Sequence, residues 1–409
     1  MLMDISAVII LLLEGLFALA LLYKEGLIKK PAPAIVSAVL VVLAMGLRLA
    51  VFDYETLDYQ NFLTVWVDFF RQHGGFAALR YPIGNYNIPY LYFLALFSYF
   101  DVKDLYLIKL LSVFFDVVLA YAAMKLVRLA ADSPRRALAV FFVTLFLPTV
   151  FLNGALWGQC DSCYAALALL GIYLALADRP VLSMVCAALS FGFKLQAVFI
   201  LPVYAVLWMM GKFRLRHFLV FPLSYVLLVL PAVIAGRPFA DTVLLYLGQT
   251  GSIGTGLNYN SSSLFAILKV TGDETRAGNL GILAAFMFMF AVLGLCFFRR
   301  KNLNGRAVTA AALLLSAGIP FLLPHMHERY FFGADALSLV LAFVDPMFAA
   351  AALLMQFASL LGYHAYLKMR YLLPMSRGAW AVLLVMILAL CSLCIQLFPR
   401  KNEIRKNLS

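Results

Sequence analysis

Four short stretches hold most of the residues in this sequence that can do chemistry. "FDYETLDY" (52–59) supplies Asp53 and Asp58, and "WGQCDSC" (157–163) supplies Gln159 and Asp161. "FKLQ" (193–196) supplies Lys194 and Gln196, and "HMHERYF" (325–331) supplies His325, His327, Glu328 and Arg329. A carboxylate can take a proton from an attacking hydroxyl. Imidazole and guanidinium side by side suit a phosphate, because both donate hydrogen bonds and one is always charged. Each stretch also has a plain reading. Acids in loops are usually solvated, and a lysine at the end of an apolar helix usually extends its ammonium to the interface. Cys160 and Cys163 have no further cysteine or histidine beside them, so idle thiols or a surface disulfide are the simpler reading. No metal site and no cofactor is expected from these spacings.

The elements that must position these residues are membrane helices. The chain has 409 residues, of which 65% are apolar and 13% charged, too few charges to cover a soluble domain. Apolar runs near the roughly 20 residues needed to span a bilayer follow one another through short polar loops. The fold class expected is therefore all-α and polytopic, a single integral membrane domain over 1–409. The net charge of +12 does not indicate nucleic acid. Its cations collect in short loops: Lys24, Lys29 and Lys30; Lys125, Arg128, Arg135 and Arg136; Lys212, Arg214 and Arg216; Arg299, Arg300, Lys301 and Arg306; and Arg400, Lys401, Arg405 and Lys406. By the positive-inside rule these loops are cytoplasmic.

With those loops inside, the spans follow in order. The first runs from Ile5 to Tyr23 and reads as retained rather than cleaved. The second runs from Ala34 to Val51. The rest cover 105–127, 137–156, 162–178, 181–193, 195–211, 218–236, 279–298, 307–323, 330–344, 346–366 and 378–398, about thirteen in all. Between the second and third lies a long first outer loop, 52–104. Tyr86 to Phe100 is apolar but only about 15 residues long, and is expected on the outer face, lying in the interface or re-entrant. Phe62, Val65, Trp66, Phe69 and Phe70 recur at helical spacing, so 59–73 reads as an amphipathic helix closed by Gly74 and Gly75. A second outer loop, 237–278, is rich in Gly, Ser and Asn in "GQTGSIGTGLNYNSSS" and could close as a lid. All four reactive stretches then fall at the outer ends of spans. Asp116 and Asp335 lie inside spans; Lys109 is a possible partner for Asp116, two turns away.

The ordered set resembles a known family. "LDYQNFLTVWVDFF", "YPIGNYNIPYLYFLALFSY" with "LIKLLSVFFDVVLAY", "NGALWGQCDS" with "FKLQAVFILP", and "HMHERYF" are similar in kind and order to motifs of GT-C membrane glycosyltransferases. The likeness in character is to bacterial proteins similar to GPI mannosyltransferase II, and more distantly to dolichyl-phosphate-glucose glucosyltransferases. It spreads over residues 48 to 335. It departs from the family in having Ile83 where a second proline often stands, and in an extra span before the acidic loop.

The resemblance implies a GT-C fold and a polyprenyl-phosphate sugar donor. It implies transfer of a mannose- or glucose-like residue to a glycan or lipid-linked acceptor, on the outer face of the membrane, with inversion. Asp58 is the expected base, with Asp53 as the alternative. His327, Arg329, Lys194 and His325 would hold the donor phosphate. Asp161, Gln159, Glu328 and Gln196 would hold sugar or acceptor. A bacterial plasma membrane is the favoured location. The rival readings are a secondary transporter or lipid-linked glycan flippase, and a surface-polysaccharide polymerase or ligase. No internal repeat of the transporter kind is visible in the sequence.

Overall fold

The structure is a computed structural model, and it describes residues 5–131, 133–249, 256–268 and 270–399. The basic residues Arg400, Lys401, Arg405 and Lys406, and the 250–255 part of the Gly/Ser-rich loop, lie outside the described residues. Nineteen described α-helices follow in chain order. They are α1 (Ile5–Lys24), α2 (Pro31–Leu49), α3 (Thr64–Gln72), α4 (Ile88–Phe97), α5 (Asp104–Ala131), α6 (Pro134–Phe146) and α7 (Pro148–Phe151). Then come α8 (Asp161–Leu176), α9 (Pro180–Phe193), α10 (Val203–Met209), α11 (Val220–Ile234), α12 (Phe239–Val243), α13 (Leu245–Gln249) and α14 (Leu264–Ile267). The last five are α15 (Glu274–Phe298), α16 (Gly305–Leu322), α17 (Phe332–Val344), α18 (Ala350–Leu367) and α19 (Met375–Leu397). Two two-residue strands, β1 (Asn258–Tyr259) and β2 (Met326–His327), pair in parallel.

Among the described residues, eight helices are long and apolar enough to cross a membrane, or nine if the bent pair around Pro148 counts as one span. The chain is therefore an all-α, multi-pass membrane protein. The sequence count of about thirteen also takes in helices shorter than a full span: α8, α9 and α17 are apolar but only 16, 14 and 13 residues long. The run 195–211 is not one helix. It divides into a tight turn at Leu195–Phe199 and the seven-residue α10, on either side of Pro202, whose ring nitrogen carries no hydrogen to continue a helical ladder. The helices α5 and α16 lie deep in the bundle, whereas α1, α2, α11 and α15 turn most of their surface outward to lipid.

The run 137–156 is also broken, and here the break positions the site. Pro148 holds Leu147 extended, so α6 stops and the chain bends by 46°. Beyond α7 the segment Leu152–Trp157 is π-helical, a form often found at functional sites. Gly158 then takes a left-handed conformation (φ 77°), which glycine adopts without a Cβ clash, and the chain reverses into α8. The first outer loop contains a second π-helical segment, Tyr59–Leu63, leading directly into α3. Gly74 and Gly75, with φ of 84° and 60°, close α3 where the sequence places its end. The helix α4 is 10 residues long, too short to span.

Buried polar contacts lock this frame. Asp116 on α5 pairs with Arg48 on α2 at 2.8 Å, both side chains fully buried, and not with Lys109. Arg48 also donates to the Leu145 carbonyl at the end of α6, and Ser162 on α8 donates to Asp116. One ion pair thus ties four helices together. Lys109 instead donates to the carbonyls of Val51, Phe52 and Tyr54, at 3.1, 2.8 and 2.7 Å, and fastens the end of α2 just before Asp58. Asp335 on α17 accepts from Ser359 on α18 at 2.9 Å.

Candidate active site

Asp58 sits at the entry to the π-helical segment of the first outer loop, part-buried. Thr56, two residues earlier, docks this segment by donating to the Trp157 carbonyl at 3.1 Å. The Asp58 carboxylate accepts three hydrogen bonds. Trp157 Nε1 and Gln159 Nε2 donate to Oδ2 at 3.0 and 2.7 Å, and the Tyr366 hydroxyl donates to Oδ1 at 2.7 Å. Arg329 stands 3.8 Å from Oδ2.

Gln159 links this carboxylate to a second one. Its Oε1 accepts from the Tyr86 hydroxyl at 3.0 Å and lies 3.4 Å from Lys194 Nζ. Lys194 in turn pairs with Asp161 Oδ1 at 2.6 Å, both side chains buried, and its ammonium lies over the Tyr86 ring. Asp161 Oδ2 accepts from Asn153 at 2.8 Å and is 4.0 Å from Arg329 Nε. Arg329 pairs with Glu328 at 2.9 Å and stacks over Trp157, which itself stacks on Tyr366 with ring centroids 4.4 Å apart. Burial alone would lower the Lys194 pKa, but the Asp161 carboxylate beside it holds it above the ordinary lysine range. Burial pushes the Glu328 carboxyl upward, against the pull of Arg329.

The structure therefore brings six of the ten expected residues into one connected network: Asp58, Gln159, Asp161, Lys194, Glu328 and Arg329. Asp53 is elsewhere. It is exposed and accepts from the Tyr106 hydroxyl at 2.5 Å. Gln196 is buried, with an Oε1 that has no hydrogen-bond partner among the described residues.

The two histidines part company. His325 is left-handed (φ 61°), its backbone N–H donates to the Leu257 carbonyl, and its Nδ1 donates to the Gly256 carbonyl at 2.8 Å. It thus pins the second outer loop beside the "HMHERYF" turn. His327 stays at the edge of the network, 3.9 Å from Glu328 and stacked on Tyr259, its partner across the β1–β2 pair. Burial, and then the charge of Arg329, lower its pKa to about 4, so near pH 7 it is a neutral ring that can offer a hydrogen bond.

Sequence reasoning missed Trp157, Tyr366, Tyr86 and Asn153. Trp157 and Asn153 flank the polar run of "NGALWGQCDSC", and that proximity was their signal. Tyr366 gave none, because it is one of 20 tyrosines in an aromatic-rich chain. Cys160 and Cys163 are buried free thiols, not joined in a disulfide, and burial raises the Cys160 pKa to about 11, which keeps it a thiol. Among the described residues no three His, Cys, Asp or Glu side chains are grouped as metal ligands.

Three carboxylates and two fixed cations thus share a partly buried site. Two of its polar atoms, Arg329 Nε and Asn153 Oδ1, are buried without a hydrogen-bond partner among the described residues. Such atoms are rare in folded proteins and call for a reason. No protein-family model matches this sequence, and a comparison with curated proteins finds no match.

Proposed function

We propose that this protein is a GT-C-type membrane glycosyltransferase with about thirteen membrane crossings. It moves a mannose- or glucose-like monosaccharide from a polyprenyl-phosphate donor to a glycan or lipid-linked acceptor. The site faces outward, in a bacterial plasma membrane. One observation carries the reading: Asp58 and Arg329, 271 residues apart in sequence, stand 3.8 Å apart within a single part-buried polar network. A carboxylate that can take a proton beside a cation that can hold a phosphate is the minimum equipment for this transfer.

The reaction needs little else from the protein. The acceptor oxygen attacks the anomeric carbon as the bond from that carbon to the phosphate oxygen breaks, inverting the configuration. The acceptor's proton passes to Asp58, which gives up one of its three present donors to receive it. The departing lipid phosphate gains negative charge, met by Arg329 and by a hydrogen bond from His327. Lys194 fixes Asp161 through their ion pair, and Asp161 meets sugar hydroxyls, with Gln159 and Asn153 beside it. The unpartnered Arg329 Nε and Asn153 Oδ1 are the donor and acceptor left over for a ligand.

Purified protein in lipid, offered a panel of polyprenyl-phosphate monosaccharides, tests this. Transfer or hydrolysis of one donor by the wild type, lost in Asp58→Asn, is the expected result. If no donor binds to or is consumed by the wild type, the enzyme reading fails and transport of a lipid-linked glycan becomes the better account.

A further inference from the structure

A groove of about 580 Å³ runs along the lipid-facing side of α2 and α6, lined by none of the network residues. Its walls are Val36 and Leu40 on α2 and Leu138, Phe142, Val143 and Phe146 on α6. Arg135 is its single charged lining residue. The two helices run parallel, because Arg48 near the far end of α2 reaches the Leu145 carbonyl near the far end of α6. Both helices therefore begin at the Arg135 end, with the positive ends of their dipoles there. Lys29 and Lys30 immediately precede α2, and Arg136 follows Arg135, all of them exposed. Among the described residues Arg135 has no acidic partner. From Arg135 to Phe146 the groove extends about 16 Å, at 1.5 Å per residue. That is about half of a hydrocarbon core of about 30 Å, the depth of one leaflet.

These features have one common use. An apolar slot one leaflet deep accepts an acyl chain. A guanidinium at its mouth, flanked by two helix N-termini and with no described carboxylate lining the slot, accepts a phosphate. We propose that this groove binds a single anionic glycerophospholipid, its phosphate against Arg135 and one acyl chain laid between α2 and α6. The groove meets the break at Leu147–Pro148, so the lipid packs against the bend that presents Trp157 and Gln159 to Asp58. The inference does not depend on the proposed reaction.

Native mass spectrometry of the full-length protein released from detergent tests it, with phosphatidylglycerol and phosphatidylcholine of equal chain length as probes. The wild type should hold phosphatidylglycerol about five-fold more tightly, the weight of one cation near an anionic headgroup. Arg135→Gln should remove that preference, whereas Arg216→Gln, in another basic loop, should keep it. Ala139→Trp, which fills the groove, should weaken both lipids. Equal binding of the two lipids by the wild type would overturn the proposal, as would a preference that survives Arg135→Gln. A wild-type dimer abolished by Ala139→Trp would give the groove to a second copy of the chain and would equally overturn it. Thermal midpoints of the variants in detergent show that each is folded, and if Ala139→Trp is not, Arg135→Gln alone decides.

Discussion

Asp58 is held as an acceptor by three donors, yet it is the one carboxylate of the network with no cation in direct hydrogen-bond contact. Asp161 and Glu328 each have one, Lys194 and Arg329. That difference in geometry favours Asp58 as the base: Asp161 and Glu328 are each tied to a cation of the protein, whereas Asp58, held by neutral donors, can exchange one of them for a substrate hydroxyl. Asp58→Asn is therefore expected to slow transfer by about 10²- to 10⁴-fold while donor binding persists. A near-normal rate in that variant would remove Asp58 from the base role. His327 makes a pH-dependent prediction. Burial, then Arg329, hold its pKa near 4, below the usual 6.5 or so, and a donor phosphate beside it would raise it again. Donor binding then takes up a proton, so affinity should rise as pH falls from about 6.5 toward 4. That slope should vanish in His327→Gln. Without donor the sign reverses. The unfolded chain binds the proton first, so the stability from neutral His327 is complete above about pH 6.5 and is lost as pH falls toward 4. The wild-type thermal midpoint should fall more steeply than that of His327→Gln across that window. Most of these residues were legible in the sequence because an ionisable group stands out against 65% apolar composition. Tyr366 and Tyr86 were not, because an aromatic side chain looks the same whether it packs or donates a hydrogen bond.

The long helices were legible from apolar length, whereas the places where they bend were not. An apolar run reads continuously through Leu147–Pro148 and through Ile200–Pro202, since hydropathy does not register direction. The bend of 46° at Pro148 nonetheless turns Trp157 and Gln159 toward Asp58. The Arg48–Asp116 pair was hidden for a different reason: its partners are 68 residues apart, and Lys109 was nearer in sequence. Lys109 was taken up by carbonyls at the end of α2, where a cation meets the negative end of the helix dipole. With both its side chains fully buried, the Arg48–Asp116 pair has a testable energetic signature. Arg48→Met or Asp116→Leu alone leaves a buried charge unpaired and should cost about 3–5 kcal/mol. The double variant removes both charges and should recover most of that loss. Thermal unfolding in detergent measures it, and a double variant as unstable as the sum of the singles would show that the two residues do not act as a pair.

At the scale of the whole molecule, the side of the membrane decides which donor is available. Exposed basic residues such as Arg216, Arg300 and Lys301 lie between spans at one end of the bundle, and Asp58, Asp161, Lys194 and Arg329 gather at the other. If the basic end is cytoplasmic, the site faces outward, where soluble nucleotide sugars are absent and a sugar must arrive on a lipid. That dependence can be tested without any activity assay. In a background whose six cysteines are replaced, a single cysteine at Asp101, exposed in the first outer loop, should react with a membrane-impermeant maleimide in intact cells. One at Lys301, exposed in a basic loop, should react only after the membrane is opened. The opposite labelling would turn the whole bundle over. Asp58 and Arg329 would then face the cytoplasm, a nucleotide sugar would become the natural donor, and the case for a polyprenyl phosphate would fail even if Asp58 proved to be the base.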